Sequence, residues 1–304
     1  MRKLLKLLVL AAVVAAGIGW FVTAPSALPN DAFDGVSGDP ARGETVFTAA
    51  GCASCHMAPG AEDEAKLVLA GGQRFPSPFG TFLAPNISMD PEHGIGDWTA
   101  RDLGNALLHG TSPDGQHYFP AFPYTSYAKM ADRDIADLWA YMQTLPASDT
   151  PSQPHEVGFP FNIRRSLGGW KTLFLKSDWV MQGDDLGPEL TRGRYLVEAL
   201  GHCAECHTPR NALGGLDLNR WMAGAPDPSG KGTIPALTPD KLTWSATDIA
   251  YYLETGFTPE FDSAGGHMAH VVSNTAKLSA EDRTAIAAYV KALEAPAKDQ
   301  ASGY

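Results

Sequence analysis

The sequence predicts a mainly α, loop-rich fold: two tandem copies of one small helical domain behind an N-terminal signal or anchor helix. Three observations carry this. All four cysteines fall in two copies of one pentapeptide, Cys52-Ala53-Ser54-Cys55-His56 and Cys203-Ala204-Glu205-Cys206-His207. The segments around the two copies repeat one another in the same order. The chain opens on basic residues followed by an apolar run.

The leader is read as residues 1–28. Arg2, Lys3 and Lys6 precede apolar residues from Leu7 to Val22, closed by Pro25. This is the layout of a secretory signal, or of a transmembrane anchor with its positive end in the cytoplasm. Ala24-Pro25-Ser26-Ala27 offers small residues, but Pro25 and Pro29 spoil a clean cleavage site. Leu4 and Leu5, with Lys6 snorkelling to the headgroups, bring the run close to the roughly 20 residues of a full span. An uncleaved anchor is the favoured reading, and an ordinary cleaved signal peptide is the alternative.

Cys-x-x-Cys-His is the attachment signature of haem c. Two thiols at this spacing each form a thioether with one vinyl group on a porphyrin edge, and the histidine supplies an axial imidazole to the iron. No cysteine is left over, so the arithmetic gives two covalent haems on Cys52, Cys55 and His56 and on Cys203, Cys206 and His207. A Cys-x-x-Cys pair also suits half a zinc site or a redox dithiol. A zinc ribbon places its second pair roughly 15–20 residues after the first. Here the second copy comes about 150 residues later, and a dithiol does not require the histidine.

The first domain is read from 39 to 146 and the second from 186 to 295. Each begins with a helical stretch carrying Arg-Gly near its start, at Arg42-Gly43 and Arg192-Gly193. After the pentapeptides come Gly-rich loops, Gly71-Gly72 and Gly214-Gly215. Thr99 with Asp102 and Ser245 with Asp248 resemble capping boxes, and Gly110 and Gly256 are stop signals. A short helix is therefore expected from Thr99 to His109 and from Ser245 to Thr255. Apolar residues at Ile135, Leu138, Trp139 and Met142, and at Ile286, Tyr289 and Val290, recur at helical spacing. They predict closing helices that pack on the first helix of the same domain. The order is helix, pentapeptide, loops, short helix, ligand loop, closing helix, and it resembles that of a class I cytochrome c domain.

The connector, 147–185, begins with Pro151, Pro154 and Pro160. It then turns aromatic and basic through Phe159, Phe161, Arg164, Arg165, Trp170, Lys171, Phe174, Lys176 and Trp179. It reads either as a strap filling the groove between the domains or as a surface touching lipid headgroups or a partner. Residues 296–304 form a tail. Net charge is −11 and the leader is basic, so the remainder is more acidic still. That excludes a nucleic-acid binder, and it fits either a partner with a basic patch or simple solubility. The 31 Gly and 23 Pro point to a loop-rich fold, in which a porphyrin supplies apolar area that helices would otherwise provide.

A low-spin electron-transfer haem needs a sixth ligand, and with no spare cysteine Met or His must serve. In the second domain Met268 is expected, from a loop Gly265-Gly266-His267-Met268. Met222 is read as pocket packing, and His267 and His270 as solvent-facing. In the first domain Met130 aligns with Leu278, and the counterpart of Met268 falls near Pro120 to Phe122, where there is no Met. Met130 is the favoured candidate, on a longer excursion of Tyr124-Thr125-Ser126-Tyr127. His117, Met89 and an open sixth position are the alternatives, and Met57 abuts His56 too closely to serve.

The chain resembles the multihaem cytochrome c subunits of membrane-bound alcohol, aldehyde and related periplasmic dehydrogenases. The resemblance rests on the two pentapeptides, on Pro85-Asn86-Ile87 with Gly94-Ile95-Gly96-Asp97-Trp98, and on Phe119-Pro120-Ala121-Phe122-Pro123-Tyr124. Cys206-His207-Thr208-Pro209-Arg210-Asn211 and Lys277-Leu278-Ser279 extend it to the second domain. Many relatives carry Met where this chain has Phe122, and others pair that Phe with the later Met, as at Met130. The resemblance implies haem attachment outside the cytoplasm and a site at the periplasmic face of the cytoplasmic membrane. It implies electron transfer from a periplasmic dehydrogenase or respiratory complex to a cytochrome c, a quinone or a terminal oxidase. No catalytic acid, base or nucleophile stands out. A dihaem enzyme, peroxidase-like or oxidising a sulfur compound, is the competing class.

Overall fold

In the computed structural model residues 1–183, 185–228 and 232–295 are described, so the expected tail at 296–304 lies outside the described residues. Helix α1 (Arg2–Val22) is continuous, exposed along its length, and long and apolar enough to cross a membrane, with mean hydropathy 2.3. The first repeat contains α2 (Pro40–Ala49), α3 (Cys52–His56), α4 (Ala100–His109), α5 (Tyr124–Tyr127) and α6 (Asp132–Met142). After α7 (Ser166–Phe174) in the connector, the second contains α8 (Gly187–Tyr195), α9 (Ala204–His207), α10 (Ala246–Thr255), α11 (Gly266–Thr275) and α12 (Ala280–Lys291). A π-helical turn, Leu196–Leu200, prolongs α8.

Strand is sparse among the described residues. The hairpin β1 (Arg74–Ser77) and β2 (Gly80–Leu83) is antiparallel, with Phe75 opposite Phe82. The connector adds β3 (Glu156–Val157) to its free edge, beside β2. A second, two-stranded ribbon joins β4 (Ala225–Pro226) to β5 (Thr233–Ile234).

Local chemistry explains the helix ends. Asp39 caps α2 through Ala41 N at 2.9 Å, and Pro40 occupies the first turn, where its missing N–H costs nothing. Both expected capping boxes form: Thr99 and Ser245 are the N-caps of α4 and α10, and Gly110 and Gly256 end them in the left-handed region at φ 57° and 77°.

The repeated Arg-Gly has a packing cause. Where α2 crosses α6, a Cβ on Gly43 would lie 1.9 Å from the Asp137 carbonyl oxygen, and on Gly193 it would lie 2.0 Å from that of Ala285 in α12. The neighbouring arginines then reach acids of the closing helices. Arg42 Nε donates to Asp137 Oδ2 at 2.7 Å, and Arg192 Nε to Asp282 Oδ1 at 2.7 Å. The Arg42 hydrogen bond holds the Asp137 carboxyl below its ordinary range. Phe47 and Tyr141 close the α2–α6 contact at 5.2 Å between ring centroids. Gly43→Ala or Gly193→Ala must push the two helices apart. Each is expected to destabilise the protein by about 1–3 kcal/mol or more, read as a lower thermal midpoint.

One apolar cluster runs through both repeats, from Val46, Phe47, Leu138 and Trp139 to Leu196, Val197, Ile286 and Tyr289. A satellite joins Phe82 and Phe119 of the first repeat to Leu167 of the connector.

Two expectations are corrected. The counterpart of Gly71 is Gly224, not Gly214: Gly71 N donates to His56 O at 2.7 Å and Gly224 N to His207 O at 2.8 Å, at φ 76° and 82°. The second repeat has a longer loop there, and Gly214 belongs to that extra turn, against Phe79. Met268 is not in a loop but in the first turn of α11, because nothing after Gly266 breaks a helix. The corresponding stretch of the first repeat is the single turn of α5, hemmed by Pro120 and Pro123.

Candidate haem sites

Helices α3 and α9 put the two cysteines three residues apart and the histidine one further on, so each trio shares a helix face. His56 Nδ1 lies 2.9 Å from the carbonyl oxygen of Pro85, and His207 Nδ1 lies 2.8 Å from that of Pro235. A carbonyl only accepts, so each ring donates from Nδ1 and leaves the Nε2 lone pair for a metal. Burial holds both imidazoles below the ordinary histidine value, against the carbonyl bonds.

The local backbone that builds this arrangement is duplicated. Leu69 and Met222 are both fully buried and left-handed, at φ 56° and 55°. Each is followed two residues later by the glycine that binds the histidine carbonyl. Ile87 N then returns to Leu69 O at 3.1 Å, as Leu237 N does to Met222 O at 2.8 Å. Met222 thus stands where the first repeat has a leucine, in keeping with a packing role. Sequence reasoning missed Pro235 and Gly224; the signal was a second Pro-x-x pattern at Pro235-Ala236-Leu237, matching Pro85-Asn86-Ile87.

The thiols are not set up as metal thiolates. Burial pushes Cys52 and Cys203 up to about 12 and Cys55 up to about 11, and it raises Cys206 as well. Among the described residues no three His, Cys, Asp or Glu side chains converge on a point where an ion could sit, as a structural zinc site needs. Cys52 and Cys203 instead pack against the apolar core that also receives Met130, Met89 and Met268. Thiols beside an apolar core, with an imidazole oriented by a carbonyl, fit a covalently attached porphyrin.

Met130 is buried between α5 and α6, and Leu278 is buried at the matching place before α12. Met268 is half-buried. Met57 is buried next to His56. His117 donates from Nε2 to Thr23 O at 3.0 Å, at the end of α1, and its buried Nδ1 has no hydrogen-bond partner among the described residues. His267 is exposed, as expected, with its ring 6.3 Å from that of Phe75 in the first repeat, whereas His270 is half-buried.

Each pentapeptide or its flank bonds to the other repeat across the seam between them. His202, next to Cys203, places Nε2 3.2 Å from Ala50 O, and the Tyr127 hydroxyl donates to the same carbonyl at 3.0 Å. Ser54, the second variable residue of the first pentapeptide, accepts from Asn274 Nδ2 of α11 at 2.9 Å. Glu205, in the same place in the second, accepts from Thr125 of α5 at 2.7 Å. The attachment helices therefore face one another, close enough for Cys206 to raise the Cys55 thiol, after burial.

The inner face of the connector fills the groove. Trp170 Nε1 donates to Leu213 O of the second repeat at 2.9 Å, while Lys171 Nζ donates to His109 O and Gly110 O at 2.6 and 2.7 Å. Its outer face leaves Phe159, Phe161, Ile163 and Leu173 exposed.

Together these features define a protein built to carry one porphyrin on each attachment helix. The family model described as cytochrome c matches residues 40–146 and 190–294. The chain belongs to the cytochrome c family, and its duplicated motif makes it a dihaem member with two covalent haem c groups. It is 56% identical over 295 residues to a protein of Cereibacter sphaeroides described as "Diheme cytochrome c-type", covering 97% of this chain and 99% of that one. It is 35% identical over 261 residues to "Fructose dehydrogenase cytochrome subunit" of Gluconobacter japonicus, covering 84% of this chain and 53% of that one. It is 34% identical over 268 residues to "Alcohol dehydrogenase (quinone), cytochrome c subunit" of Gluconobacter oxydans, covering 84% and 54%. It thus spans nearly all of the first relative and about half the length of the other two.

Proposed function

We propose that the chain conducts single electrons from a dehydrogenase subunit, through two haems, to a cytochrome, quinone or oxidase. It would work at the periplasmic face of the cytoplasmic membrane. The observation that carries this reading is the seam, where each attachment helix is bonded to the other repeat: Ser54 to Asn274, Glu205 to Thr125, and His202 beside the second helix to Ala50 beside the first. Haem iron supplies one-electron chemistry. The chain's residues hold two such groups near each other, exclude water and fix the ligands. Cys52 and Cys55, and Cys203 and Cys206, form the thioethers. His56, His207, Met130 and Met268 would supply the iron ligands.

Helix α1 serves as the anchor in this reading. Arg165 lies over the Trp20 ring at 4.1 Å and donates to the Trp20 carbonyl, so the exposed apolar face of the connector lies beside the end of α1. That placement supports a role for the connector at the headgroup layer. The dehydrogenase relatives support the donor class. The test is purification from native membranes, with identification of bound subunits and of the mature N-terminus. The reading expects a dehydrogenase subunit bound to a chain that still begins at or near Met1. A chain starting near Leu28 overturns the anchor, and one that brings no dehydrogenase overturns the donor.

A further inference from the structure

The internal repeat exposes a difference between equivalent faces. In the first repeat, α4 and the loop closed by the Thr111–His117 bridge lie beneath the segment that follows α1. Leu28 N donates to Asn105 Oδ1 at 2.7 Å, and Arg101 donates to Leu28 O at 2.7 Å and Pro29 O at 2.8 Å. Phe33 covers Gly104, and His117 meets Thr23 O. Lys171 caps the end of α4. The face is sealed.

In the second repeat the matching face is α10 with the loop closed by the Phe257–Ser263 bridge. Counting from the paired Trp98 and Trp244, Asn105 becomes Tyr251, Thr111 becomes Phe257 and Gly115 becomes Phe261. These are 54%, 48% and 91% exposed. Phe261 keeps the left-handed backbone of Gly115, at φ 64° against 69°. A bulky side chain is disfavoured there, and no internal packing compensates for so exposed a ring. The three aromatics border a shallow depression with Asp248, Thr258 and Pro259. From 246 to 266 the acids are Asp248, Glu254, Glu260 and Asp262, and there is no Lys or Arg. Asp248 serves its capping box, Glu254 pairs with Arg283 and Asp262 accepts from Ser263 N, and Glu260 and Asp262 form the acidic rim of the loop. The loop leads through Ala264, whose N donates to Gly256 O at 2.8 Å, into α11 and Met268.

We propose that this aromatic face with its acidic rim docks a basic electron carrier, a small c-type cytochrome with lysines around its exposed haem edge. An apolar centre with an acidic rim complements an apolar haem edge with a basic one. Transient redox contacts need only a small patch, with charge steering the encounter. The proposal rests on the electron-conduit reading and names its acceptor side.

The test uses the full-length holoprotein in detergent, fully reduced and mixed rapidly with oxidised, lysine-rich mitochondrial cytochrome c as the probe. The neutral small oxidant p-benzoquinone is run in parallel. At low salt the double variant Glu260→Lys/Asp262→Lys is expected to slow the probe reaction about tenfold and to flatten its salt dependence. Phe261→Gly keeps the left-handed backbone and is expected to slow it several-fold. Oxidation by p-benzoquinone and both haem potentials should stay unchanged. If both variants react with the probe at the unmodified rate, docking at this face is wrong while the conduit reading stands. If the unmodified protein reduces neither oxidant, both fail.

Discussion

Replacing Cys203 and Cys206 together with serine is expected to remove one of the two covalent haems and to destabilise the whole molecule. Intact mass of protein exported by a host with haem-attachment machinery should fall by one haem relative to the unmodified protein. Cys52 and Cys55 should still load, because the first attachment helix and its Pro85 carbonyl lie in the other repeat. The stability loss follows from where the cysteines sit. Cys203 packs against the shared core of Leu196, Val197, Leu200 and Met222. A porphyrin edge burying on the order of 300 Å² of apolar lining is worth roughly 5–10 kcal/mol at about 25 cal/mol per Å². That is comparable to the total stability of a domain. Because the core continues into the first repeat, unfolding is expected at a lower temperature for both repeats. A variant that keeps two haems would show that the pentapeptide does not hold the second one.

Met268→Ala is the second large effect. Losing a thioether ligand should lower the potential of one haem by on the order of 0.1 V, within the roughly 0.8 V that axial ligands span. It should also open that haem to carbon monoxide. The backbone has little reason to move, since alanine suits the first turn of α11 and Met268 is only half-buried. Met130→Ala should do the same to the other haem, with an added cost of about 2–5 kcal/mol for its buried side chain. Spectra and potentials unchanged in Met130→Ala would remove it as a ligand. His117, whose Nε2 engages Thr23 O while its buried Nδ1 has no hydrogen-bond partner among the described residues, would then be the next residue to replace.

What the chain showed in advance was whatever rests on local chemistry. The pentapeptides, the capping boxes at Thr99 and Ser245 and the stops at Gly110 and Gly256 depend on neighbours a few residues away. The Arg-Gly pairs were visible as a repeat, but their cause was not. The carbonyl that demands glycine at Gly43 and the carboxylate that receives Arg42 both belong to Asp137, far along the chain. Pro85 and Pro235 act through backbone oxygens, which leave almost no trace in residue type. The mispairing of Gly71 with Gly214 came from unequal loop lengths. The seam was hidden because Ser54, Glu205 and His202 look like ordinary polar residues until the repeats are brought together. Met268 was legible as a residue but not as part of a helix, since Gly265-Gly266 reads as loop and the following turns have weak periodicity.

The most direct test is the coordination of both irons in the purified, reduced protein. A conduit needs each iron six-coordinate in both oxidation states, so that little rearranges as an electron arrives or leaves. Optical and magnetic spectra should show two low-spin haems, unchanged under carbon monoxide. Rapid carbon monoxide binding to one haem of the unmodified protein, together with turnover of peroxide or a sulfur compound, would contradict the account and make this a dihaem enzyme.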